Sequence, residues 1–99
     1  QEQYLATAAP AGELAIASYA LPEYPADARA RGIEGWVDLE FVVDKSGAPR
    51  DLIAVASEPS RRFEQAALDA VRQYRYEPFS LDGEVYERRV RLRMRFDLR

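Results

Sequence analysis

Apolar and polar residues alternate without a break from Val90 to the C-terminus. Val90, Leu92, Met94, Phe96 and Leu98 fall on one side, and Arg91, Arg93, Arg95, Asp97 and Arg99 on the other. A period of two predicts a strand with one buried and one wetted face. A second alternating run covers Gly35 to Asp44, setting Val37, Leu39, Phe41 and Val43 against Asp38 and Glu40. Asp44-Lys45-Ser46-Gly47 supplies turn chemistry, and Arg50 to Ser57, with Leu52, Ile53, Ala54 and Val55, completes a hairpin. Helical spacing appears behind Pro59-Ser60. There Phe63, Ala67, Ala70, Val71 and Tyr74 form an apolar stripe, Ser60 is placed to cap, and Glu64 sits near the positive end.

The shorter segments connect these elements. Leu21-Pro22-Glu23-Tyr24-Pro25 is extended up to Tyr24, because each proline drives its predecessor out of the helical region. Pro25 suits the first position of a brief helix over Ala26–Arg31, which Gly32 ends. Glu13 to Ala20 fits either a short extended segment or a helical turn. Residues 1–13, rich in alanine and interrupted by Pro10 and Gly12, show no sustained period and read as a linker that orders only in part. Tyr74 to Phe79 is extended, and Leu81-Asp82-Gly83-Glu84 is a turn.

The order helix, strand, strand, helix, strand is packed most economically as an α+β two-layer sandwich, a three-stranded antiparallel sheet with two helices on one face. Residues 1–20 then form an N-terminal linker, and 21–99 the folded domain. The closing strand pairs with the first strand, which sets Asp38 and Glu40 beside Arg91, Arg93 and Arg95. It also lies at a sheet edge, where main-chain groups can accept another strand. Strict alternation places Trp36 on the polar face, covered by the N-terminal segment or part of a contact patch.

Charge sharpens this picture. The net charge is −3, yet residues 84–99 carry six arginines against three acids. The acidic remainder complements that stripe from within the chain, so the arginines read as a partly paired, solvated face or a protein contact, and nucleic acid is disfavoured. The chain has no histidine and no cysteine, which removes the commonest general base, thiolate chemistry and the usual zinc ligands. No catalytic residue, cofactor or metal site is expected. No apolar run approaches the ~20 residues that span a bilayer, and a start at Gln1 reads as a piece of a longer protein.

One ordered series carries a resemblance: Tyr24-Pro25, Gly32-Ile33-Glu34-Gly35-Trp36-Val37, Asp44 to Gly47, Phe63, Ala67 and Tyr74-Arg75-Tyr76-Glu77-Pro78. Over residues 21–99 the chain resembles the C-terminal domain of the TonB energy-transducer family. The resemblance implies a periplasmic module at the end of a protein anchored in the inner membrane of a Gram-negative bacterium, whose missing N-terminal part works with an ExbB–ExbD motor. It implies that the domain captures the TonB box of outer-membrane receptors by strand addition, and that force then drives uptake of siderophores, haem or cobalamin. The partner-binding positions carried over are Leu21, Pro22, Tyr24 and Pro25, with Val90, Arg91, Leu92, Arg93, Met94, Arg95 and Phe96 on the closing strand. Leu21 stands where the family has a glutamine, and Tyr74 where it has a tryptophan. The competing reading is a TolA-like assembly domain that pairs with a non-receptor envelope protein or, through the same edge, with a second copy.

Overall fold

A computed structural model describes residues 2–98; Gln1 and Arg99, the last position of the arginine series, lie outside the described residues. Two long strands dominate the middle of the chain, β3 (Gly35–Val43) and β4 (Pro49–Glu58). Their turn is closed by the Asp44 carboxylate, which accepts from the Ser46 and Ala48 amides, each at 2.9 Å. Gly47 stands at φ 92°, where a side chain is strained, and its carbonyl accepts the Tyr76 amide at 2.8 Å. The final strand β8 (Arg88–Phe96) pairs antiparallel with β3 along its whole length, from Gly35 opposite Phe96 to Val43 opposite Arg88.

The expected three-stranded antiparallel sheet is therefore present, in the order β8-β3-β4. Its register with β4 shifts twice. The shifts turn Leu52 and Ala54 toward the core and leave Ile53 and Val55 exposed, dividing a run that showed no alternation. One face carries both helices. In α2 (Ala26–Ala30), Pro25 caps the start rather than opening the first turn, and Gly32 follows the end at φ 68°. A single 3₁₀ turn (Arg61–Phe63), with Ser60 accepting the Arg62 amide, leads into α3 (Glu64–Val71). Ala28 of α2 and Phe63, Ala67, Ala70 and Val71 meet Val37, Leu39, Phe41, Val43, Val90 and Phe96 in one core. Small alanines on the helices let both sit close to the sheet, and Gly35 allows the β3 start to approach the Glu58 carbonyl, which an added Cβ would meet at 2.1 Å.

Residues 2–18 carry more structure than a partly ordered linker requires. α1 (Glu2–Ala6) is followed by β1 (Ala9–Pro10), a 3₁₀ turn (Ala11–Glu13) and β2 (Ile16–Ser18). β1 joins the main sheet as a fourth, parallel strand on β8, with Ala9 opposite Val90 and Pro10 opposite Arg91. β2 pairs antiparallel with β5 (Arg75–Tyr76), which settles the Glu13–Ala20 region as extended. The run before β8 is a separate hairpin, β6 (Phe79–Leu81) and β7 (Glu84–Tyr86), turning at Asp82-Gly83. No helix among the described residues is long and apolar enough to cross a membrane.

Candidate functional site

The outer edge of β8 carries hydrogen-bonding groups that are only partly taken. β3 covers one side of β8 throughout, whereas β1 covers the other side only at Val90 and Arg91. The edge is therefore divided: Val90 and Arg91, expected as open partner-binding positions, face a segment of the chain itself, and among the described residues no strand lies beyond Leu92 to Phe96.

Pro10 reveals which groups point outward. It has no N–H, so the donor in its pairing with β8 has to be the Arg91 amide. Main-chain groups two residues apart on a strand point the same way, so the N–H and C=O of Arg93 and Arg95 face the open edge too. Those of Leu92, Met94 and Phe96 turn toward β3. The side chains alternate at right angles to this direction. Val90, Met94 and Phe96 are buried on the helix side, while Arg91, Arg93 and Arg95 are exposed on the opposite face.

That face is ordered by Asp38, the buried polar residue among the core positions, at 5% exposure. Its carboxylate accepts from Arg93 Nε at 2.7 Å and Nη2 at 3.0 Å, and from Arg91 Nη2 at 3.1 Å. The Arg93 hydrogen bond, then that of Arg91, holds the carboxyl below the usual aspartate range against the opposing effect of burial. Glu40 approaches Arg91 at 3.7 Å. Trp36 lies on the polar face as expected and is covered from within the sheet: the Arg93 guanidinium lies over its ring, 3.7 Å from the centroid. A guanidinium stacked and bonded in this way stays in place beside the edge.

The covering segment is held from both ends. Arg88 Nη1 donates to the Tyr4 and Thr7 carbonyls at 3.0 Å each, and Arg89 Nε donates to the Leu5 carbonyl at 2.6 Å. These arginines satisfy carbonyls left over at the end of α1. Tyr4 packs on Phe79 and Tyr86, with both centroid separations 5.2 Å, beneath the Arg88 guanidinium. Ala9 and Ala11 are buried. Where the segment leaves the edge after Pro10, an apolar cup of about 380 Å³ opens between Ala11, Leu14, Tyr19, Tyr74, Tyr76 and Leu92. Burial pushes the Tyr76 phenol up to about 12, so it stays neutral.

The remaining expected positions lie on the helix side. Leu21, Pro22, Tyr24 and Pro25 line a groove of about 510 Å³ against α3, together with Arg62 and Ala66. Leu21 is 82% exposed. Tyr24 alone of these reaches β8: its ring meets Phe63 and Phe96 edge-on at 5.6 and 5.8 Å, its hydroxyl donates to the Ile33 carbonyl and lies 3.4 Å from that of Phe96. The structure thus brings Tyr24 to the end of the open edge and keeps Leu21 and Pro22 away from it. Residues 2–11 and the Arg88-Arg89 pair were missed as site elements. Tyr4 and the doubled arginine were the signals available, without a periodicity to connect them. Among the described residues no cluster of acidic side chains is arranged to hold a metal ion.

Residues 20–98 match the family described as Gram-negative bacterial TonB protein C-terminal. The chain is 34% identical over 83 residues to Protein TonB of Vibrio cholerae, covering 84% of this chain and 34% of that protein. It is 37% identical over 69 residues to Protein TonB of Pseudomonas aeruginosa, covering 70% and 20%. The chain thus spans about a third of the first of these relatives and a fifth of the second. Among solved structures it is similar to the solution NMR structure of the Pseudomonas aeruginosa TonB CTD, with TM-score 0.74, 30% identity and 86% of each chain covered. The TonB2 protein from Vibrio anguillarum gives TM-score 0.62 and 34% identity, over 80% of this chain and 76% of that one.

Proposed function

This chain belongs to the Gram-negative bacterial TonB protein C-terminal family, and on that premise we propose that it is the periplasmic receptor-binding module of an energy transducer. It captures the extended TonB box of an outer-membrane receptor as an added strand on β8. It then passes on the pull generated by an inner-membrane ExbB–ExbD motor, which acts through the part of the protein preceding this chain. Siderophores, haem or cobalamin are the cargo classes.

The observation that carries this reading is the vacant edge from Leu92 to Phe96 beside an edge stretch that already holds a strand. Main-chain pairing gives affinity that tolerates variation in the partner's sequence. Bonds along a strand that is pulled lengthwise are loaded together, in shear. The arginine face favours neutral or acidic partner residues opposite Arg93 and Arg95.

The assembly-domain reading keeps one observation of its own. β4 is the other edge of the sheet, and Ile53 and Val55 are exposed on it at 52% and 39%, features suited to pairing with another envelope protein or a second copy. An NMR titration of the chain with TonB-box peptides separates the two. Shifts concentrated in Leu92–Phe96 and around Tyr24 are expected. A folded, monomeric sample that shifts with none of these peptides overturns receptor capture.

A further inference from the structure

We propose that the N-terminal segment is a register stop on the docking edge: it fills the Val90–Arg91 stretch, and its exit at Ala11 walls the cup that takes one apolar side chain of the incoming strand. The inference rests on the capture reading and adds to it where the captured strand begins and which of its residues is selected.

The stop follows from occupancy. Ala9 and Pro10 lie opposite Val90 and Arg91 and occupy the edge there, taking the outward Arg91 amide, and five residues further back the helix is fastened by Arg88, Arg89 and the Tyr4 cluster. An incoming strand meets its first unoccupied outward main-chain groups at Arg93, so the partner residue that begins the pairing lies opposite Leu92. The 3₁₀ turn at Ala11–Glu13 makes the boundary sharp, because the covering segment leaves the edge there.

The cup follows from strand geometry. Residues directly opposite one another on neighbouring strands project to the same face. The partner residue opposite Leu92 therefore projects to the helix side, where Leu92 itself lines the cup with Ala11, Leu14, Tyr74 and Tyr76. That wall is apolar and aromatic, and it accepts a valine-, leucine- or phenylalanine-sized side chain. The residues opposite Arg93 and Arg95 project to the other face, toward the guanidiniums. The selected partner is an extended peptide with an apolar residue at its first paired position and polar or acidic residues at alternate positions after it.

The test uses the full chain and a variant whose N-terminal segment is loosened, Tyr4→Ala with Ala9→Asp. Neither residue belongs to the central core, and unchanged β3 and β4 amide signals verify the fold. The probes are six-residue peptides alternating threonine or aspartate with valine, and copies in which one valine at a time becomes aspartate. In the full chain, amide shifts should stop at Leu92, and one valine should show proximity to the Tyr74 and Tyr76 rings. Changing that valine to aspartate should weaken binding about tenfold or more, by the loss of its buried apolar surface, and by more than the other replacements do. In the loosened variant the shifts should spread to Arg89–Arg91. Shifts that already reach Val90 in the full chain, or an identical footprint and valine preference in both chains, overturn the stop while leaving capture intact. Binding to neither chain overturns capture itself.

Discussion

Replacing Asp38 by asparagine tests whether the arginine face beside the docking edge is organised by this one carboxylate. The substitution preserves shape and removes charge. Asp38 accepts three hydrogen bonds, two from Arg93 and one from Arg91. An asparagine amide keeps one oxygen and turns an NH₂ group toward guanidinium donors, so at least one charge-assisted bond is lost outright and one donor faces another. Hydrogen bonds to charged groups contribute about 1.5–3 kcal/mol each. The two arginine side chains are 48% and 43% exposed, so water recovers part of their loss and the expected destabilisation is about 2 kcal/mol. With a urea dependence of roughly 1.5 kcal/mol per molar for a small domain, the midpoint should fall by about 1.3 M at neutral pH. The pH dependence supplies a second reading. Because the folded chain holds the Asp38 carboxyl below its ordinary value of 3.8, its contribution is fully present above that value and is lost as pH falls through the lower folded value. The gap between parent and Asp38→Asn should shrink across that acid range. A midpoint change under about 0.3 M, or a gap that stays constant in acid, refutes the assignment.

Two further substitutions probe the frame and the edge. Gly47→Ala places a Cβ 1.9 Å from the Tyr76 carbonyl oxygen at a position with φ 92°, so the turn and β5 must separate; a loss above about 2 kcal/mol is expected, seen as a melting temperature lower by at least about 8 °C, and an unchanged melting temperature contradicts the packing. Arg95→Pro removes a main-chain donor that faces the open edge while leaving the pairing with β3 in place; peptide affinity should drop about fivefold, one hydrogen bond's worth, with the urea midpoint nearly unchanged, and full affinity in a folded variant shows that partners do not use this edge.

How much of this was legible in the sequence depended on periodicity. β3 and β8 announced themselves because each buries one face only, so their apolar residues alternate; α3 did so through Phe63, Ala67, Ala70 and Val71, and the β3–β4 turn through Asp44 and Gly47. The order β8-β3-β4 and the meeting of Asp38 with Arg91 and Arg93 followed from those runs alone. What escaped is held by main-chain groups. Ala9 and Pro10 pair through carbonyls and amides that every residue type supplies, and the carbonyls of Tyr4, Leu5 and Thr7 accept from arginines more than eighty positions away. A two-residue strand has no period to detect. Trp36 was assigned to the correct face, but its covering by Arg93 required knowing the register, since the two residues are offset diagonally across the β3–β8 pair.

These distinctions bear on how β8 can serve a partner at all. Its helix-side residues are committed to the core through Val90, Met94 and Phe96, and Arg91 and Arg93 on the opposite face are committed to Asp38. Neither set can rearrange for a ligand without loss of stability. What the strand has left is its outward main chain, and main chain discriminates poorly among sequences. Selectivity then has to come from whatever borders the edge. On the solvent face that border is Arg95 and the exposed sides of the paired arginines; on the helix side it is the cup shaped by Ala11, Tyr74 and Tyr76. The N-terminal segment, which joins β8 without a periodic signal, is thus the element able to set partner preference while β3, β4 and β8 stay paired. A related chain with the same β3, β4 and β8 but a different sequence over residues 4–14 should keep the β8-β3-β4 sheet and change the peptides it selects.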